Sequence, residues 1–120
     1  MTKEAALQAF WSSFGLPAYE ENSVPAQTKP PFITYEANVD SFGNVIPLAA
    51  SIYYKSESWL TINAKEREIS QRIGSGIHLE CDDGYLRLYR GSPWATPMTE
   101  TDSTIKRKYL NLIAEYLTTN

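Results

Sequence analysis

A chain of 120 residues with one cysteine, Cys81, and one histidine, His78, is poor in the side chains that most catalytic and metal sites use. A lone cysteine excludes an internal disulfide and any cysteine-rich metal site. A lone histidine, with no nucleophile fixed beside it by spacing, gives no basis for a nucleophilic triad. No Gly-x-x-x-x-Gly-Lys or Gly-x-Gly-x-x-Gly signature occurs, and Ile73-Gly-Ser-Gly76 has the wrong spacing to cradle a phosphate. No apolar run approaches the ~20 residues of a membrane helix. Met1-Thr-Lys-Glu-Ala-Ala-Leu7 carries an early acid and no apolar h-region, so it is not expected to be a secretory signal. The net charge of −3 argues against a broad basic surface that holds nucleic acid. No catalytic, cofactor-binding or metal-ligating residue is assigned, no cofactor is expected, and the sequence reads as that of a non-enzyme.

What is present is an apolar content of 42%, enough for one core, and a length that suits a single domain over residues 1–120. Aromatic residues are abundant, with eight tyrosines among them. Tyrosine combines apolar area with a polar tip, which suits half-buried sheet faces and subunit interfaces, although a tyrosine-rich sheet without a partner fits equally.

Thr2 is positioned as an N-cap, and Leu7, Phe10, Trp11 and Phe14 form the apolar stripe of a helix that Gly15 ends at C′. The stretch from Gly15 to Pro31 has no periodicity and four prolines, and reads as a long loop. Phe32–Val39 and Val45–Tyr54 read as two strands of a hairpin around Asp40-Ser-Phe-Gly-Asn44, with Pro47 marking an edge or bulge. Ser56 or Ser58 caps a second helix, in which Trp59, Ile62, Glu66, Ile69 and Ile73 share a face and Glu68 and Arg72 form an i,i+4 pair. Gly74 and Gly76 end it.

An Asp83-Gly84 type I′ turn would pair Cys81 with Leu86, Glu80 with Arg87 and Leu79 with Leu88, and would set His78 beside Tyr89. Cys81 then packs as a small hydrophobe, and Asp82 and Asp83 read as turn chemistry. Gly91–Asp102 reads as a loop with Pro93 and Pro97. From Ser103 to Thr118, Leu110, Leu112, Ala114 and Tyr116 alternate with Asn111 and Glu115, the mark of a long strand pairing on both sides. A helix remains open there, because Ile105, Tyr109, Leu112 and Tyr116 also fit a 3.6 period. Lys106, Arg107 and Lys108, with Arg87 and Arg90 on a neighbouring strand, suggest a basic platform. Successive strand positions alternate between faces, however, which favours a solvated or interface patch. The expected fold is α+β: an antiparallel sheet of about four to five strands with two helices on one face.

The segment Phe10-Trp-Ser-Ser-Phe-Gly-Leu-Pro-Ala-Tyr-Glu-Glu-Asn-Ser-Val-Pro25 resembles small tail proteins of tailed bacteriophages and prophages of Gram-positive bacteria, as does Pro31-Phe-Ile-Thr-Tyr35. Trp59 with its helix, Gly84-Tyr-Leu86, Arg90-Gly-Ser-Pro-Trp-Ala95 and Lys106-Arg-Lys-Tyr-Leu-Asn-Leu112 continue the likeness over nearly the whole chain. The family is the tail terminator, or tail-completion, family. The resemblance implies a structural subunit of the virion tail, assembled in the bacterial cytoplasm. It would close into a homo-oligomeric ring, usually a hexamer, on the tail-tube protein and meet the head–tail connector. DNA would pass through the lumen without sequence recognition, and no membrane is involved. Under this resemblance the hairpin tip Asp40, Ser41, Phe42, Gly43 and Asn44, and Trp94 in the following loop, are the candidate ring or tube contacts. A phage neck or head-completion protein and a small cytoplasmic binding module using the tyrosine-rich sheet face are the alternatives.

Overall fold

The alternation over the last stretch of the chain resolves as one long strand inside a six-stranded sheet. The computed structural model describes residues 1–39 and 45–118. Its elements are α1 (Lys3–Ser12), β1 (Ala18–Glu20), β2 (Phe32–Tyr35), β3 (Val45–Lys55), α2 (Leu60–Ile73), β4 (Ile77–Cys81), β5 (Gly84–Met98) and β6 (Ile105–Thr118). The strand order is β1-β2-β3-β6-β5-β4. β6 pairs antiparallel with all of β3 on one side and with β5 on the other. At ~3.3 Å per residue its 14 residues span about 46 Å, close to the longest dimension of the 49 × 30 × 21 Å molecule.

The fold is α+β, as expected, but the sheet departs from the expected one in two ways. It has six strands, and it is mixed, because β1 runs parallel to β2 through Ala18↔Ile33 to Glu20↔Tyr35. β1 comes from the segment read as loop. Three residues are too few to display a period, and β1 is held instead by neighbouring strand backbone, with Ile33 N–H donating to the Pro17 carbonyl at 2.8 Å.

Even-numbered residues of β3 and β6 face the helices. Leu48, Ala50, Ile52, Leu110, Leu112, Ala114 and Tyr116 join Ile33, Tyr35, Leu86 and Leu88 in one buried cluster. α2 adds Ile62, Ile69 and Ile73, and α1 adds Leu7, Phe10 and Trp11, so both helices enter the same core. The Thr2 hydroxyl accepts from Ala5 N–H at 3.1 Å, giving the anticipated N-cap. The helix closes earlier than expected: its C-cap is Ser13, and Gly15 follows two residues later at φ 80°. α1 touches both ends of the strand order. Gln8 Nε2 donates to the Ala18 carbonyl at the β1 edge, and Asp82 N–H beside β4 donates to the Met1 carbonyl. One helix reaching both rims requires the sheet to curl around it.

α2 starts after Trp59, and the Ser58 hydroxyl accepts from Leu60 N–H at 3.0 Å. The expected Glu68–Arg72 pair is replaced by an i,i+3 pair within α2 and by tertiary contacts of Arg72. Glu68 pairs with Lys65 at 2.9 Å, while Arg72 donates to Ser13 and lies over the Phe14 ring.

The β4–β5 hairpin forms, in a register offset from the expected one. Cys81 aligns with Gly84, Glu80 with Tyr85, Leu79 with Leu86 and His78 with Arg87, so the loop is Asp82-Asp83. The Glu80–Arg87 pair is therefore not made: Arg87 aligns with Glu115 of β6. His78 lies opposite Arg87, not Tyr89, and its ring sits tilted against Tyr85 at 4.5 Å. The offset moves every pair by an even number of positions, so Leu79, Cys81, Leu86 and Leu88 keep the core face. Gly84 serves close approach rather than a left-handed turn. A Cβ there would lie 1.9 Å from the Leu117 carbonyl oxygen, and its φ is not positive.

Gly91–Met98 is strand, not loop. After an irregularity between Arg90 and Ala95, which contains a cis Ser92–Pro93 bond, β5 pairs on through Ala95↔Leu110 to Met98↔Arg107. Here β5 lies beyond the end of β4, which stops at Ile77↔Leu88. A strand with an outward rim tolerates Pro93 and Pro97, whose missing N–H groups cost no ladder bond. Pro47 obeys the same rule, since the β2 ladder on that side of β3 begins only at Ala50.

Candidate functional site

Helices cover one face of the sheet, and the other carries the odd-numbered residues of β3 and β6. Phe32 and Tyr53, cross-strand partners, stack at 4.7 Å, and Tyr19 of β1 meets Phe32 edge-on at 6.3 Å. Arg107 of β6 aligns with Tyr53, and its guanidinium lies 5.4 Å over that ring. Its Nε donates to the Ser51 hydroxyl at 3.1 Å, and its outer nitrogen lies 3.5 Å from Glu100. Ser51 is 3% exposed, the buried polar anchor of this face. Tyr109, next on β6, is 37% exposed.

These residues line an open cleft of about 320 Å³, bounded by Phe32, Thr34, Ser51, Tyr53, Arg107 and Tyr109. Glu21 and Val24, from the segment after β1, form its rim. Glu20, Glu21 and Glu36 crowd together there. Partial burial, then the Glu36 and Glu20 carboxylates, raise the Glu21 carboxyl above the ordinary range. Glu36 is committed to the sheet through the Ala49 N–H. Among the described residues no three His, Cys, Asp or Glu groups are arranged to hold a metal ion.

No protein-family profile matches the chain, and neither does any curated protein.

Of the residues singled out from the sequence, Asp40, Ser41, Phe42, Gly43 and Asn44 lie outside the described residues. Trp94 is described: it sits half-buried in the β5 irregularity, and its indole N–H donates to Glu66 at 3.3 Å. Lys108 reaches the other Glu66 oxygen at 3.4 Å, so the polar intrusion in the α2 stripe ties that helix to β5 and β6. The basic cluster divides as alternation requires. Lys106, over Trp59, and Lys108 face α2, while Arg107 faces the cleft. Arg87 and Arg90 do not join them, because the β5 partners of Arg107 and Lys108 are Met98 and Pro97. Cys81 is half-buried against the core, and burial raises its thiol above the ordinary value. No helix among the described residues is long and apolar enough to cross a membrane.

The cleft was not anticipated as a site. Its residues come from four separate segments, and only the β2–β3 and β3–β6 registers bring them together. The signal present in the sequence was the tyrosine excess and the placement of Arg107 and Tyr109 at odd positions of the strand, opposite in face to Leu110 and Leu112.

Proposed function

We propose that this protein is a structural subunit of a phage tail. It acts as a terminator that closes into a ring, six-fold in the simplest case, on the head-proximal end of the tail tube. The ring ends tube growth and presents a surface to the head–tail connector. The observation that carries the reading is the resemblance along nearly the whole chain, whose segments fall on α1, β2, α2, β5 and β6. The uncovered aromatic face also supports it, because a two-layer subunit with half-buried tyrosines on its open side is suited to association.

A ring needs a heterologous contact whose rotation closes instead of continuing into a filament. Residues 40–44, which lie between β2 and β3 in the sequence, and the Trp94 segment of β5 are assigned to that contact or to the tube. The net charge of −3 suits a lumen through which DNA slides without sticking. The location implied is the virion tail, after assembly in the bacterial cytoplasm.

Native mass spectrometry over a wide concentration range, with negative-stain imaging of the same sample and then addition of purified tail tubes, tests the proposal. A closed ring alone or on tube ends supports it; a monomer that tubes never recruit refutes it. Phe42→Asp should abolish the ring without unfolding the monomer. Deleting residues 91–98 is a poor test, because it removes β5 pairing with β6. A phage lacking the gene should make overlong tails, whereas tailless heads would indicate a neck protein. The cleft favours one further reading, a binding module that stays monomeric.

A further inference from the structure

We infer that the cleft on the open sheet face is an anchor site for a peptide segment of a partner protein that carries an aromatic side chain beside a carboxylate. This inference stands on the cleft alone and holds whether or not the subunits form a ring.

Three observations define the occupant. The first is the wall. Phe32 and Tyr53 line the cleft as a stacked pair at 4.7 Å, and Tyr19, behind the lining, braces Phe32 edge-on at 6.3 Å; an incoming ring adds to such a pair in the geometry aromatic pairs prefer. The second is charge. Arg107 supplies the cleft's cation, and it is positioned by the buried Ser51 hydroxyl through Nε and by the Tyr53 face. Its contact to Glu100 is 3.5 Å long between side chains 27% and 30% exposed, a pair of little strength. A carboxylate arriving in the plane of the guanidinium competes with it on favourable terms.

The third observation is shape. At about 320 Å³ the cleft is at the small end of the ~300–1,000 Å³ range of ligand sites. It also lies on a face that no helix covers. Such a site cannot enclose the ~70–90% of surface that a free small ligand needs buried. It suits one or two side chains of a larger partner, whose own bulk completes the exclusion of water. Glu21 at the rim offers an acceptor for the main-chain N–H groups that a peptide brings.

The test is a chemical-shift titration of the full chain with acetyl-Asp-Trp-amide, using acetyl-Asn-Trp-amide, acetyl-Asp-Ala-amide and indole-3-acetate as comparisons. The expected result is saturable shifts at Thr34, Ser51, Tyr53 and Tyr109 with the Asp-Trp peptide. Loss of either the carboxylate or the ring should weaken binding about five-fold or more, near 1 kcal/mol. Arg107→Lys keeps the charge but loses the fork, and should weaken the preference for Asp over Asn while the protein stays folded. Arg107→Gln removes the charge and should abolish it. The inference is overturned by any of three results: no shifts up to about 10 mM peptide, equal response to the Asp and Asn peptides, or shifts elsewhere. Indole-3-acetate binding as tightly as the peptide would assign the cleft to small molecules and overturn it too.

Discussion

Replacing Gly84 with alanine tests the register of the whole β4–β5–β6 corner. The added Cβ would lie 1.9 Å from the Leu117 carbonyl oxygen and 2.8 Å from the Thr118 Cα, both backbone atoms of β6. No side-chain rotation relieves such an overlap. Ordinary contact begins near 3.4 Å, so the ends of β5 and β6 must part by roughly 1.5 Å from a normal spacing of about 4.8 Å. The ladder bonds that close this end of the sheet fail at that distance. Two such bonds at about 0.5–1.5 kcal/mol each, with the remaining strain, give a loss of about 2–3 kcal/mol. For a chain of this length that is a fall of about 8–12 °C in Tm. Urea and thermal denaturation followed by circular dichroism measure both quantities.

An Asp83-Gly84 turn makes the opposite demand. Gly84 would then be left-handed, and Gly84→Asn, which tolerates that region, would be clearly more stable than Gly84→Ala. In the register found, asparagine is as damaging as alanine. An alanine variant within about 0.5 kcal/mol of the parent, or an asparagine variant that rescues it, refutes the placement of Gly84 against β6.

Leu112→Ala, at a site 1% exposed in the central strand, should cost about 2–5 kcal/mol in urea denaturation; a loss below 1 kcal/mol would mean that the core is not closed over β6. Thr2→Ala removes the acceptor of the Ala5 N–H and should cost about 1 kcal/mol, with Thr2→Ser restoring most of it. The raised Cys81 thiol makes stability fall with alkalinity. The folded chain keeps its proton where the unfolded chain has lost it, so the contribution is intact below the ordinary thiol value of ~8.5 and lost as pH rises through the folded value. Cys81→Ala should flatten that slope in denaturation series from neutral to alkaline pH, and an unchanged slope would assign it to other groups.

Much of the architecture was legible where periodicity was long. Leu7, Phe10, Trp11 and Phe14 marked α1, and the alternation from Leu110 to Tyr116 marked a strand paired on both sides. The failures share a physical cause: glycine and proline have local and tertiary uses that look alike in a sequence. Gly84 has the sequence setting of a turn residue and is a close-contact residue against β6. Pro93 and Pro97 carry the sequence mark of a loop and sit on a strand whose outer side is free of β4. β1 had no signal, because its three residues are specified by the strand beside them. The open cleft was legible only as a surplus of tyrosine, since which tyrosines meet is decided by pairing between segments far apart in sequence.

The position of β6 between β3 and β5 also has a consequence for synthesis. β3 ends at Lys55 and β6 begins at Ile105, so at about 5–20 residues per second the ribosome needs roughly 3–10 s to supply the strand that joins the two halves of the sheet. During that interval the long rim of β3 is made but unpaired, with Leu48, Ala50 and Ile52 uncovered by β6. Exposed rims of this kind recruit other chains. A chain with such a rim would thus depend, while being made, on chaperones or on slow encounter between nascent chains. Codon choices that lengthen the pause between residues 55 and 105 would lower the yield of folded protein without changing a single side chain.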